Sequence, residues 1–74
     1  MERFTGTIGH VIQKGGYFWI LYKERRVFAH FEQWCELELP YPGNTVTFEV
    51  GPAKPPYRIQ AVNVQPVKLA VPLD

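Results

Sequence analysis

Between Thr45 and Val50 the chain reads TVTFEV, with Val46, Phe48 and Val50 alternating against Thr45, Thr47 and Glu49. Period two is the mark of a strand with one face in a core. The same kind of segment recurs along the chain, rich in β-branched and aromatic residues and cut by glycine and proline. A first strand is predicted from about Arg3 to Ile12, with Gly6 and Gly9 allowing a bend or bulge. Gly15-Gly16 makes a turn into a second strand, Tyr17 to Tyr22, and "KERR" forms a charged tip before a third, Val27 to His30. TVTFEV is the fourth. After the proline-stiffened loop "GPAKPP" comes a fifth, "RIQAVNVQPV". Phe31 to Leu39 is the one stretch that can coil, and Pro40 and Pro42 limit it to a turn or two of helix. The expectation is an all-β fold: a five-stranded antiparallel barrel of the oligonucleotide-binding (OB) type, with a short helical turn between strands three and four. Closure protects sheet edges, and an SH3-like barrel is the rival.

Sorting side chains by face exposes a surplus of rings. Lys14 to Phe31 holds six aromatic rings and a histidine in eighteen residues, and Tyr17, Phe18 and Trp19 are consecutive. Alternation sets Tyr17 and Trp19 on one face and Phe18 and Ile20 on the other, while Phe28 and His30 share a face opposite Val27 and Ala29. Ile8, Ile20, Val27, Ala29, Val46, Phe48, Val50, Ala61 and one of Val62 or Val64 already fill a small barrel. Tyr17, Trp19 and Phe28 would overfill it, so they are expected outside as cross-strand neighbours. A patch of that kind implies use. Planar rings beside cations suit unstacked bases, each stacking for roughly 1–3 kcal/mol.

Composition narrows the class further. Seventy-four residues make one domain. One cysteine, Cys35, excludes an internal disulfide and fits a reducing, cytoplasmic setting. No signal-peptide pattern and no apolar run near the ~20 residues of a membrane span are present, so no membrane association is expected. The net charge of +1 is near neutral, but Lys14, Lys23, Arg25 and Arg26 cluster with the rings. His10, His30 and Cys35 lack metal-ligand spacing. The chain has no serine, and nothing marks an oriented base or anion hole beside Cys35. No enzyme, metal or cofactor is expected.

Val27-Phe28-Ala29-His30-Phe31 resembles the second nucleic-acid motif of the cold-shock domain family, Val-Phe-Val-His-Phe, with one change from valine to alanine. Gly16, Tyr17, Trp19 and Ile20 fall on glycine, aromatic, aromatic and isoleucine of the first motif, Lys-Gly-Phe-Gly-Phe-Ile. "PGNTVTFEV" and "QAVNV" resemble the fourth strand and the Gln-Ala-x-Asn-Val close. The likeness spans about residues 3 to 66, giving a domain at 1–66 and a tail at 67–74. Phe18 stands where the first motif has its second glycine, and His10 where the first strand carries an exposed tryptophan. A rival register matches Lys14, Gly15 and Phe18 to lysine, glycine and the second aromatic, turning Tyr17 and Trp19 inward; the first register matches more positions. Trp34 stands at an aliphatic place and is expected in the core, while Leu37 and Leu39 would cap the barrel or line the groove. Tyr57-Arg58-Ile59 replaces a basic residue followed by Gly-Pro, after a longer loop.

The resemblance implies a single-stranded RNA- or DNA-binding protein, a nucleic-acid chaperone with modest preference, for pyrimidines. Tyr17, Trp19, Phe28, His30 and Phe31 would stack bases, His10 would extend the platform, and Lys14, Arg25, Arg26 and Arg58 would meet phosphates. The molecule would be a monomer or weak homodimer. The alternative is a protein-interaction barrel whose rings bind a peptide or a second copy.

Overall fold

A computed structural model of the chain describes residues 2–67. The strands are β1 (Phe4–Ile12), β2 (Tyr17–Tyr22), β3 (Arg25–His30), β4 (Thr45–Pro52) and β5 (Ile59–Pro66), with a 3-10 turn at Phe31–Gln33 between β3 and β4. They form one antiparallel sheet in the order β3-β2-β1-β4-β5. The sheet curls until β3 lies against β5. The segment after the 3-10 turn spans that seam: Trp34 bridges Val64 in parallel fashion, and the Cys35 N–H donates to the Val64 carbonyl at 3.0 Å. This is the expected five-stranded OB-type barrel with its short helical turn. Of the proposed tail at 67–74, residues 68–74 lie outside the described residues.

The turn end of the β2–β3 hairpin differs from the sequence expectation. The turn needs only Lys23 and Glu24, at φ 46° and 63°, the left-handed pair of a two-residue type I′ turn. Arg25 and Arg26 therefore belong to β3, paired with Tyr22 and Leu21. A twisted two-strand ribbon favours that tight turn over a four-residue tip.

Gly9 sets the phase of β1. Pairing with β2 passes from Ile8↔Ile20 to His10↔Trp19, so Gly9 is the extra residue of a bulge. Strict alternation would send His10 to the same side as buried Ile8. The bulge instead puts it opposite Trp19, and Ile12 opposite Tyr17.

Ile8, Phe18, Ile20, Val27, Ala29, Val46, Phe48, Ala61 and Val64 form the buried core. Of the alternatives Val62 and Val64, the second is interior; Val50, expected inside, is only half-buried against it. Phe18 is the largest addition, at 0% exposure. Its ring packs on Phe31 and Trp34, both at 5.9 Å between centroids. Tyr17 and Trp19 are half-buried on the other face, so the first of the two registers is the one the barrel adopts.

Gly6 is where β1 and β2 come closest. A Cβ there would fall 2.7 Å from Ile20 Cγ2 and 2.8 Å from the Leu21 carbonyl oxygen. The carbonyl is backbone and cannot swing aside, so Gly6→Ala is expected to cost about 1–3 kcal/mol by overpacking. Urea unfolding followed by tryptophan fluorescence measures it; an unchanged midpoint would mean that the strands part freely at this point.

Arg3 fastens the far side. Its guanidinium donates to Glu49 Oε2 at 2.8 Å, to the Thr47 carbonyl at 2.9 Å and to the Asn63 carbonyl at 2.7 Å. The β4–β5 register jumps from Thr47↔Gln65 to Glu49↔Val62, and Asn63, at φ 50°, lies in the extra stretch of β5. One side chain thus holds a bulge that would otherwise leave carbonyls unpaired.

Candidate functional site

The outward faces of β1, β2 and β3 carry three cross-strand rows. Ile12, Tyr17 and His30 form one, His10, Trp19 and Phe28 the next, and Leu21 with Arg26 the third. Paired residues on antiparallel strands project to the same side, so the rows make one continuous surface. Tyr17 lies 5.4 Å from Phe28 and 6.3 Å from Trp19 between ring centroids, and Trp19 lies 5.7 Å from Phe28. The Arg26 guanidinium carbon sits 5.4 Å from the Trp19 ring centroid, where attraction to the π-face holds a cation beside the platform.

Tyr57, on the loop between β4 and β5, joins this surface. Its ring stacks on Phe28 at 4.3 Å with only 11° between planes, and meets Trp19 edge-on at 5.7 Å. The loop closes on itself through Ala53 N–H to the Arg58 carbonyl at 3.3 Å and Tyr57 N–H to the Lys54 carbonyl at 3.1 Å. Sequence reasoning missed Tyr57 as a member of the platform. The one signal was an aromatic residue in place of the basic residue of the cold-shock pattern.

Tyr17, Trp19, Phe28 and His30 come together as their alternation predicts, and the Gly9 bulge and the two-residue turn bring His10 and Arg26 to the same face. Phe31 stands apart, for its ring turns to core Phe18. Arg25 pairs with Tyr22 on the opposite side of β3 from Arg26, so the two arginines do not form one rim. Lys14 is exposed on the β1–β2 turn and Arg58 on the β4–β5 loop, at separate margins. Trp34 is half-buried against the core, its indole N–H donating to the Glu38 carbonyl. Leu37 caps nothing: it is fully exposed, and Leu39 and Tyr41 are largely so.

His30 is fixed by its neighbour. Its Nδ1 accepts from the Glu32 backbone N–H at 3.2 Å, so the neutral ring carries its hydrogen on Nε2. Next to it a cleft of about 410 Å³ opens between the 3-10 turn and the β4–β5 loop, with Lys54 on its margin.

A five-stranded OB-type barrel with rings and cations on the β1–β3 face defines the class of fold. No family model matches the chain, and no curated protein does. Among solved structures, Drosophila Unr CSD456 matches with a TM-score of 0.73 at 21% identity, over 90% of this chain. The chain spans only 27% of that one. The likeness shows a cold-shock domain fold.

Proposed function

We propose that the β1–β3 face binds unpaired RNA or DNA by stacking bases on its rings. The observation that carries this reading is the pair of registered rows that set Tyr17, Trp19, Phe28 and His30 side by side toward solvent. Base–ring stacking tolerates any base and gives useful affinity to a protein of nearly neutral charge. Trp19 and Tyr17 offer stacking surface directly. Tyr57 covers one face of Phe28 and continues the platform through its own outer face. Arg26 is placed to meet the phosphate next to a base on Trp19, with Lys14 and Arg58 reaching the strand at its two margins. A strand held this way cannot pair, which is how such a domain acts as a chaperone without a cofactor. The cold-shock fold adds to this reading, since the family resemblance of the two motifs implies the same ligand.

The chain has two tryptophans, one on the platform and one against the core, which makes the test direct. Titration with short uracil or thymine oligonucleotides at low salt is expected to quench the fluorescence. The quench should vanish in Trp19→Phe and remain in Trp34→Phe. Quenching that survives Trp19→Phe would place the bases elsewhere.

A second reading rests on Leu37, Leu39 and Tyr41, which are 102%, 58% and 58% exposed on one segment. Apolar side chains so placed suit a protein contact. No quenching at low salt, together with a dimer that forms as concentration rises, would favour it.

A further inference from the structure

The cleft beside His30 has the size of a small-ligand site, about 410 Å³ against a usual range of roughly 300–1,000 Å³. Phe28 and Tyr57 form its apolar side, and His30, Glu32, Gln33, Gln60 and the Lys54 ammonium supply the polar groups. Hydrogen bonds within the protein already use some of these atoms, and the remainder defines what a ligand would meet. His30 Nδ1 is taken by the Glu32 N–H, which leaves Nε2–H as a donor. Gln33 Oε1 accepts from the Asn63 N–H at 3.3 Å, which leaves the Gln33 amide NH₂ as a second donor. Gln60 Nε2 donates to the Pro52 carbonyl at 2.9 Å, which leaves Oε1 to accept. The Glu32 carboxylate has no hydrogen-bond or ion-pair partner among the described residues. Its two oxygens are acceptors only.

A base entering the cleft therefore meets acceptors on the Glu32 carboxylate and Gln60 Oε1, and donors on His30, Gln33 and Lys54. The Watson–Crick edges of the bases answer this unequally. Guanine alone presents two adjacent donors, N1–H and the N2 amino group, with the O6 acceptor beside them. Uracil and thymine place a carbonyl on each side of a single N–H. Cytosine and adenine set a ring-nitrogen lone pair next to the amino group, and that lone pair would face a carboxylate oxygen. Single-stranded bases are read on these edges once splayed from their stack. A mismatched edge also leaves polar groups unpaired when water is displaced, which widens the difference.

We propose that this cleft reads one guanine of the bound strand, and that Glu32 is the residue that selects it. The inference rests on the stacking reading above and adds a base preference that stacking by itself does not provide.

The test compares a uracil heptamer with the same heptamer carrying one guanine, using the full chain at fixed low salt. A uniform strand can slide, so one guanine is enough to find the cleft. The guanine is expected to raise affinity about tenfold, within the range for one good bidentate contact. Inosine in its place, which lacks the N2 amino group, should lose most of that gain. In Glu32→Gln the ratio of the two affinities should fall to about one, and binding of both oligonucleotides by the variant confirms that it is folded. If the uracil heptamer binds and guanine adds nothing, the cleft does not read the base and stacking stands alone. If guanine helps but Glu32→Gln keeps the ratio, the selecting residue is another and the proposal fails. If neither oligonucleotide binds, the stacking reading falls and the proposal falls with it.

Discussion

Phe18→Ala is expected to cost about 3–5 kcal/mol of stability, the range for deleting a fully buried phenyl ring. Phe18 is wholly enclosed and packs on two rings, Phe31 and Trp34, so the space it leaves cannot be closed by one neighbour. A domain of this length holds only about 4–11 kcal/mol in all. The variant should therefore unfold at a far lower urea concentration, with a substantial unfolded fraction at the low end of that range. A shift below about 1 kcal/mol would mean that the ring is not part of the packed interior.

The cause lies in a pair of positions. Phe18 and Ala29 are cross-strand partners, both at 0% exposure. The cold-shock pattern has glycine and valine at these places. The two methyl groups lost on β3 make room for only part of the seven-carbon side chain gained on β2, and Phe31 and Trp34 pack around the rest. Ala29→Val alone should overpack the site, whereas the same change made together with Phe18→Gly should recover part of the loss. Such coupling is expected of side chains in contact and absent between distant ones.

Raising salt tenfold is expected to weaken oligonucleotide binding about 100- to 1,000-fold. That follows from about three or four phosphate contacts, each contributing ~0.7 to the slope of log affinity against log salt for a single strand. Arg26, Lys14, Arg58 and Lys54 stand around the platform, and on the proposed reading they would supply contacts of that number. Titrations across a salt series give the slope directly, and Arg26→Gln should flatten it by about 0.7. A slope near zero would assign the whole affinity to stacking and remove these cations from the interface.

Much of this was legible in the chain because alternation is a strong signal. Three rings in succession cannot share a face, but that Ala29 makes room for Phe18 needed the pairing of β2 with β3. The bulge at Gly9 was available as a possibility, but its effect on His10 needed the pairing with β2. Other features depend on the path of the chain between elements. Tyr57 reaches Phe28 through a proline-rich loop with no period to read. Arg25 was grouped with Arg26 because the turn was taken to be four residues long; once two suffice, alternation itself separates them. Phe31 closes the second motif in sequence, yet the 3-10 turn that begins there rolls its ring toward Phe18. The anchoring by Arg3 joins residues 44 to 60 positions apart and left no local trace.

The stacked pair of Phe28 and Tyr57 also matters to the molecule at rest. A bare row of rings is adhesive, and two copies meeting face to face would bury their platforms in one another. With a phenol from its own loop laid over the central phenyl, less of that phenyl is open to a twin.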